Sequence, residues 1–161
     1  MASSFFLIFI VMIKMTDIVN ETDLTGVEFV SPDETEIDYY DDLNRLEIES
    51  GLYIKSYKEL NILALRNGKV IGALYGGIRG DTFEFDIIVD KKERGKGIGA
   101  KLTDFGIEEY KAYRDVEDYK LELDVVNPDM VPFLLKKGFQ KKTQYSNHVI
   151  MIYDPDVAEI D

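Results

Sequence analysis

The chain has 161 residues, 45% of them hydrophobic, and a formal net charge of −12, which suits one domain with a sizeable core. It contains no cysteine and a single histidine, His148, which excludes disulfides, thiolate catalysis, Cys-type zinc sites and histidine-rich metal centres, so no metal is expected. The acidity is concentrated in residues 1–50, with twelve acidic residues against two basic ones, while Lys91, Lys92, Arg94, Lys96 and Lys101 surround Glu93 as a local cationic patch; this pattern speaks against nucleic-acid binding, which wants a broad basic face, and for one compact anionic ligand.

The first feature along the chain is an unbroken apolar run from Phe5 to Ile13, far short of the roughly 20 residues of a membrane span. It lacks the cationic flank and the Ala-x-Ala-like site of a secretory signal. It reads either as an extra strand, buried or paired with a partner, or as an extension upstream of a start at Met12 or Met15. Gly26–Val30 follows as a first strand. Ser31, Pro32 and Glu34 then make a capping-box start, and Ile37, Tyr40, Leu43 and Leu46 recur at helical spacing, which predicts a helix over Pro32–Glu47.

Three strands come next, over Leu60–Leu65, Val70–Ile78 and Thr82–Asp90, the first two joined through Asn67-Gly68 and the last two through Arg79–Asp81. Asn-Gly between alternating apolar runs is a strong hairpin signal, so this is an antiparallel meander. Leu102, Phe105, Ile107, Tyr110 and Tyr113 predict an amphipathic helix over Gly97–Arg114. A strand over Tyr119–Val126, a short helix over Pro128–Lys137 ended by Gly138, and further strand over Phe139–Tyr153 complete the pattern. The expected organisation is an N-terminal extension over residues 1–24, one α+β domain over 25–156 and a short acidic tail over 157–161, in the cytoplasm.

The stretch "ERGKGIGAKL", Glu93–Leu102, lies between a strand and a helix. Gly95, Gly97 and Gly99 free backbone N–H groups at the helix start, and Arg94 and Lys96 add charge, so phosphate, and pyrophosphate above all, is the fitting guest. No P-loop string occurs. Gly95, Gly97 and Ala100 do fit Gly-x-Gly-x-x-Ala, with Asp124 beyond, but the polar residues Asp90–Arg94 separate the strand from its first glycine and that strand belongs to an antiparallel meander, which rejects a dinucleotide fold.

Arg94, Gly97 and Gly99 also satisfy Arg-x-x-Gly-x-Gly, and here the sequence resembles the GNAT superfamily of acyl-CoA-dependent N-acyltransferases. "IIVDKKERGKGIGAKL" resembles that family's motif A, and "LDVVNPDMVPFLLKKGF", with Asn127 and Gly138-Phe139 at the family's spacing, resembles its motif B; the likeness spans residues 26–153. It implies a GNAT-like fold, a mixed and mostly antiparallel sheet flanked by helices and splayed between its fourth and fifth strands. It further implies acetyl-CoA as cosubstrate, the pantetheine arm pairing with exposed backbone near Ile88 and Val89, the pyrophosphate on the amides of Gly95, Lys96, Gly97, Ile98, Gly99 and Ala100, and Asn127 at the coenzyme.

The family's usual chemistry is direct attack of an amine on the thioester, with the N–H of Val89 polarising the carbonyl. For the base, Glu84 and Asp86 stand two apart on the fourth strand and so share a face; solvated strand residues are the alternative. The family's acid tyrosine follows the motif-B asparagine by seven positions, where this chain has Leu134. Tyr145 or Tyr153 could take that role, the thiolate could leave unassisted, or the domain could bind acyl-CoA without turning it over. Pro132 inside the short helix is a second irregularity, and the lone His148 reads as structural. Asp33, Glu34, Glu36, Asp38, Asp41 and Asp42, with the Tyr39-Tyr40 pair, fall where the family covers its acceptor, which suggests a cationic amine and equally suits a solvated acidic surface. The expected function is N-acetylation of a primary amine, on a small molecule or a peptide. An acyl-CoA-binding module without turnover and a structural oligomer built through Phe5–Ile13 are the competing readings, and a homodimer is an open expectation.

Overall fold

The computed structural model describes residues 24–51, 57–153 and 155. The apolar run Phe5–Ile13 and the acidic tail 157–161 lie outside them. The described strands are β1 (Val27–Val30), β2 (Glu59–Arg66), β3 (Lys69–Arg79), β4 (Thr82–Val89), β5 (Lys120–Val125), β6 (Phe139–Gln144) and β7 (Val149–Tyr153); the helices are α1 (Tyr40–Ser50), α2 (Ile98–Arg114) and α3 (Met130–Lys136). The strands form one seven-stranded sheet in the order β1-β2-β3-β4-β5-β7-β6. Only the β4–β5 contact is parallel among these neighbours, so the sheet is mixed and mostly antiparallel, as the sequence implies.

Local chemistry sets the meander. Asn67 and Gly68 both take positive φ, 53° and 75°, as a two-residue hairpin of the right twist demands. Alternation then sorts β4 onto two faces. Phe83 and Phe85 join Leu102, Phe105, Tyr110 and Leu134 in the larger core under α2 and α3. Ile88 joins Leu43, Leu46, Ala73 and Tyr75 under α1. Helix α2 sits unusually close to β4, because a Cβ at Gly106 would lie 2.8 Å from the Phe85 ring. That approach brings the first turn of α2 to the end of β4.

The predicted helix over Pro32–Glu47 requires correction. Pro32–Glu34 is a single 3₁₀ turn, Ser31 makes no side-chain cap, and Thr35 is extended at φ −112° and ψ 141°. The α-helix starts only at Tyr40 and runs to Ser50, where Gly51 at φ 63° caps it. Tertiary packing overrides the local start signal: of the helical stripe, Leu43 and Leu46 are buried while Tyr40 is 70% exposed. Asp42 instead ties the helix down by accepting the Val70 N–H at 3.2 Å.

The sheet opens where the resemblance places the opening. β4 and β5 are in register only at Thr82–Lys120 and Phe83–Leu121. Beyond that point β4 stays with β3 and β5 goes with β7, so the strands part and leave one edge of each without a strand partner among the described residues. Among the described residues no helix is long and apolar enough to cross a membrane.

Candidate active site

The phase of the β3–β4 ladder decides which backbone groups face the opening. Asp90 N donates to Ile71 O at 2.8 Å, and Ile88 and Val89 stand opposite Ala73 and Gly72. In an antiparallel ladder hydrogen-bonded pairs alternate with pairs whose N–H and C=O point outward. Ile88 is therefore engaged with Ala73, whereas Ile87 and Val89 turn their N–H and C=O toward β5. Sequence reasoning named Ile88 and Val89; the register keeps Val89, adds Ile87 and leaves Ile88 to contribute its side chain to the core under α1.

After Val89 the chain makes a 3₁₀ turn at Lys91–Glu93, with the Asp90 side chain accepting Lys92 N. Gly95 and Gly97 then take φ of 80° and 97°, a region costly for any residue with a Cβ. The first α2 bond runs from Lys101 N to Gly97 O at 3.1 Å. The N–H groups of Ile98, Gly99 and Ala100 precede it and have no partner within the helix. They form, with the helix dipole, a cradle for an anion at the mouth of the opening. Ile98 is 1% exposed, its side chain belonging to the core under α2. At Gly99 a Cβ would meet nothing nearer than Val89 Cγ2 at 3.8 Å, so the fold itself does not require glycine there.

Two cations of this loop, Arg94 and Lys96, are already engaged. Arg94 Nε donates to Val89 O at 3.2 Å, which folds the loop back on the strand end. Lys96 Nζ lies 3.2 Å from Glu93 Oε2, and Arg66 Nε 3.2 Å from Glu93 Oε1. Arg45 of α1 reaches Asp90 at 3.4 Å.

Glu84 and Asp86 do share the α1 face, and neither is a plain solvated residue. Lys58, its side chain 6% exposed, places Nζ 2.7 Å from Asp86 Oδ2 and 3.8 Å from Glu84 Oε2. The Tyr57 hydroxyl donates to Glu84. Lys58 and Tyr57 escaped sequence reasoning because nothing near them in the chain marks them; they lie just ahead of β2 and cross β3 at Gly77, where a Cβ would collide with the Tyr57 carbonyl oxygen, and so reach β4. Nearby, Tyr75 donates to Glu47 of α1. Burial first, then that bond and the charge of Glu47, hold the Tyr75 phenol far above the ordinary range. An open depression of about 370 Å³ beside α1 is lined by Tyr40, Asp41, Leu43, Asn44 and Glu47.

The opposite wall comes from β5 and its neighbours. Val125 pairs with Val149, so the turn between β6 and β7 lies at the C-terminal end of β5, the end to which parallel β4 delivers Val89. Tyr145 is in that turn, 49% exposed, its ring stacked on His148 at 4.5 Å. His148 is 2.7 Å from Asn147 Oδ1 and 3.8 Å from Asp124 Oδ1. Tyr153 is packed against Phe139 and Tyr110 in the core, which removes it as an acid. Leu134 is likewise core, 2% exposed. Asn127 accepts Asp129 N through its side chain at 3.0 Å and Met130 N through its carbonyl at 3.1 Å, so it starts α3. Pro132 is the third residue of that helix, inside the turn whose N–H groups need no helical partner, and its irregularity disappears.

The model for the acetyltransferase (GNAT) family matches residues 21–139. None of the curated proteins compared with the chain matches it. Solved structures do. An N-acetyltransferase, PaiA, from Thermoplasma acidophilum, in complex with coenzyme A, superposes with a TM-score of 0.56 at 16% identity over 80% of this chain and 98% of that one. A GNAT family acetyltransferase from Elizabethkingia anophelis with acetyl-CoA bound gives 0.54 at 18% identity, over 80% and 98%. A Streptococcus agalactiae acetyltransferase gives 0.59 at 19%, over 80% and 98%. Identities this low speak for the fold.

Proposed function

Because this chain belongs to the acetyltransferase (GNAT) family, we propose that it transfers an acetyl group from acetyl-CoA to a primary amine by direct attack. The observation that carries this reading is the meeting of two backbone arrays at one place: the outward N–H and C=O of Ile87 and the outward N–H of Val89 on β4, whose carbonyl is held by Arg94, and the α2 amides from Ile98 to Ala100 immediately beyond them. The first array suits an extended amide-bearing arm, which can add to a strand edge by main-chain bonds. The second suits its pyrophosphate.

In this reading Val89 N–H donates to the thioester oxygen as negative charge builds there, a contribution on the order of 3 kcal/mol for one well-placed donor. Glu84, or Asp86, takes the ammonium proton from the acceptor directly or through water. Lys58 and Tyr57 hold those carboxylates in place. Tyr145, on the far wall, protonates the departing thiolate. The acidic residues ahead of α1 and in its first turn attract a cationic acceptor, with Asp42 excepted because it is committed to Val70.

A second reading, a domain that binds acetyl-CoA without turnover, rests on buried Leu134 at the family's tyrosine position. Calorimetric titration with acetyl-CoA, followed by a thiol-release assay against polyamines, aminoglycosides, amino acids and peptide N-termini, separates the two. Binding with thiol release supports the enzyme, and binding with no release above background supports the module. No heat and no thermal shift at millimolar acetyl-CoA would sink both.

A further inference from the structure

An acid in the middle of a phosphate-binding loop is an electrostatic anomaly. Glu93 is that acid, flanked by Lys91, Lys92, Arg94 and Lys96, and an uncompensated carboxylate beside the α2 amides would repel a pyrophosphate. Its side chain is only 14% exposed and is held between two cations, with Oε1 3.2 Å from Arg66 Nε and Oε2 3.2 Å from Lys96 Nζ. Arg66 is the last residue of β2, paired with Val27 on one side and Lys69 on the other. Its Nη1 also donates to the Thr25 carbonyl at 2.6 Å. The guanidinium is thus anchored by the sheet rather than by the loop. Its Nε reaches Glu93 at ion-pair distance without forming a directed hydrogen bond, so the hold on Glu93 is one of charge.

We propose that Arg66 is a positioning residue for acyl-CoA binding, which draws the Glu93 carboxylate back onto the sheet and cancels its charge so that the loop presents a net positive face to the pyrophosphate. The inference rests on the coenzyme reading of the loop. Arg66 does not touch the ligand. Its removal leaves Glu93 with Lys96 alone, turning one loop cation into a dedicated counter-ion and adding one negative charge near the cradle.

The test is a double-mutant cycle on acetyl-CoA affinity, measured by calorimetry on the full chain at low and moderate salt. Arg66→Leu should weaken binding about five- to tenfold, the scale of one partly screened charge. Adding Glu93→Gln should restore most of that loss, and Arg66→Lys should keep most of the parent affinity. Glu93→Gln alone should bind at least as tightly as the parent. Rescue by removing the carboxylate is the deciding result, because a purely structural role for Arg66 would not be rescued that way. Should Arg66→Leu fail to fold by circular dichroism, Arg66→Gln carries the same expected order. Equal binding by Arg66→Leu and the parent, or no recovery in the double variant, overturns the inference and leaves the coenzyme reading intact. A parent protein that binds no acetyl-CoA overturns both.

Discussion

Asn61 of β2 donates through Nδ2 to Glu109 Oε1 of α2 at 2.9 Å, while Asn61 Oδ1 and the second carboxyl oxygen, Glu109 Oε2, are buried without a partner among the described residues. Both orphaned oxygens border one point above Gly76, where a Cβ would lie 3.0 Å from the first and 3.5 Å from the second. Two acceptors facing one gap are satisfied by one proton. Only a neutral Glu109 carries such a proton, on the oxygen that Asn61 Nδ2 does not reach.

Burial, and then the charge of Glu59 on β2, push the Glu109 carboxyl from 4.5 to about 8. Burial, and then the charges of the same two carboxyls, raise the phenol of Tyr113, one turn further along α2. The sign of the linkage follows. Below about pH 4.5 the group is protonated in folded and unfolded chains alike; between there and about 8 only the folded chain keeps the proton. This site therefore makes stability fall as pH rises through that window, by at most about 1.4 kcal/mol per pH unit. Glu109→Gln, whose amide donates permanently to Asn61, should remove that slope and be the more stable protein near pH 8. Urea midpoints of parent and variant across the window test it, and parallel pH profiles would contradict it.

Lys58 is the shared counter-ion of Glu84 and Asp86. Lys58→Met should lower stability by about 1–3 kcal/mol, the scale of lost charge-assisted hydrogen bonds, since it leaves two partly buried carboxylates side by side. Adding Asp86→Asn should recover part of the loss, because the pair then carries a single charge. Thermal melts of the single and double variants give the answer, and a Lys58→Met protein that melts with the parent rules out a shared counter-ion.

Gly97 and Gly99 separate backbone strain from ligand access. Gly97 sits at φ 97°, so Gly97→Val should cost about 1–2 kcal/mol of stability in addition to acetyl-CoA affinity. At Gly99 the empty fold has room for a methyl group, so Gly99→Ala should fold as well as the parent and lose affinity for the coenzyme alone. The pair is read by melting temperature and calorimetry. Parent-like affinity in both folded variants would remove the pyrophosphate from this loop.

Tyr145 is half exposed and stacked on one neighbour, so Tyr145→Phe should leave stability nearly unchanged. If the hydroxyl protonates the thiolate, turnover should drop about 10²-fold while acetyl-CoA binds as before. Unaltered turnover would assign thiolate departure to water.

Much of the site was legible in the chain because it is contiguous. The strand end, the glycines at positive φ and the first turn of α2 lie within Ile87–Leu102, where turn chemistry and helix-start geometry act over a few residues. Asn67-Gly68 marks the β2–β3 hairpin for the same reason. Even the shared face of Glu84 and Asp86 follows from the two-residue period of a strand. The false helix start at Pro32 shows the limit: a capping sequence is a weak preference, and burial of Leu43 and Leu46 decided where α1 begins.

What tertiary structure alone decided is which charged group meets which. Lys58 and Asp86 are 28 positions apart and Asn61 and Glu109 48 apart, and Arg66 reaches Glu93 from a different strand. Such pairings depend on ladder register and on how closely α2 settles on β4, and a slip of one residue would turn every strand side chain to the other face. The outward-facing Ile87 and Val89 have the same origin, since ladder phase fixes which backbone groups remain free. Sequence by itself determined a glycine-rich turn between a strand end and a helix start; the packed sheet determined that this turn stands beside a strand edge with no strand partner among the described residues, and which side chains meet its charges.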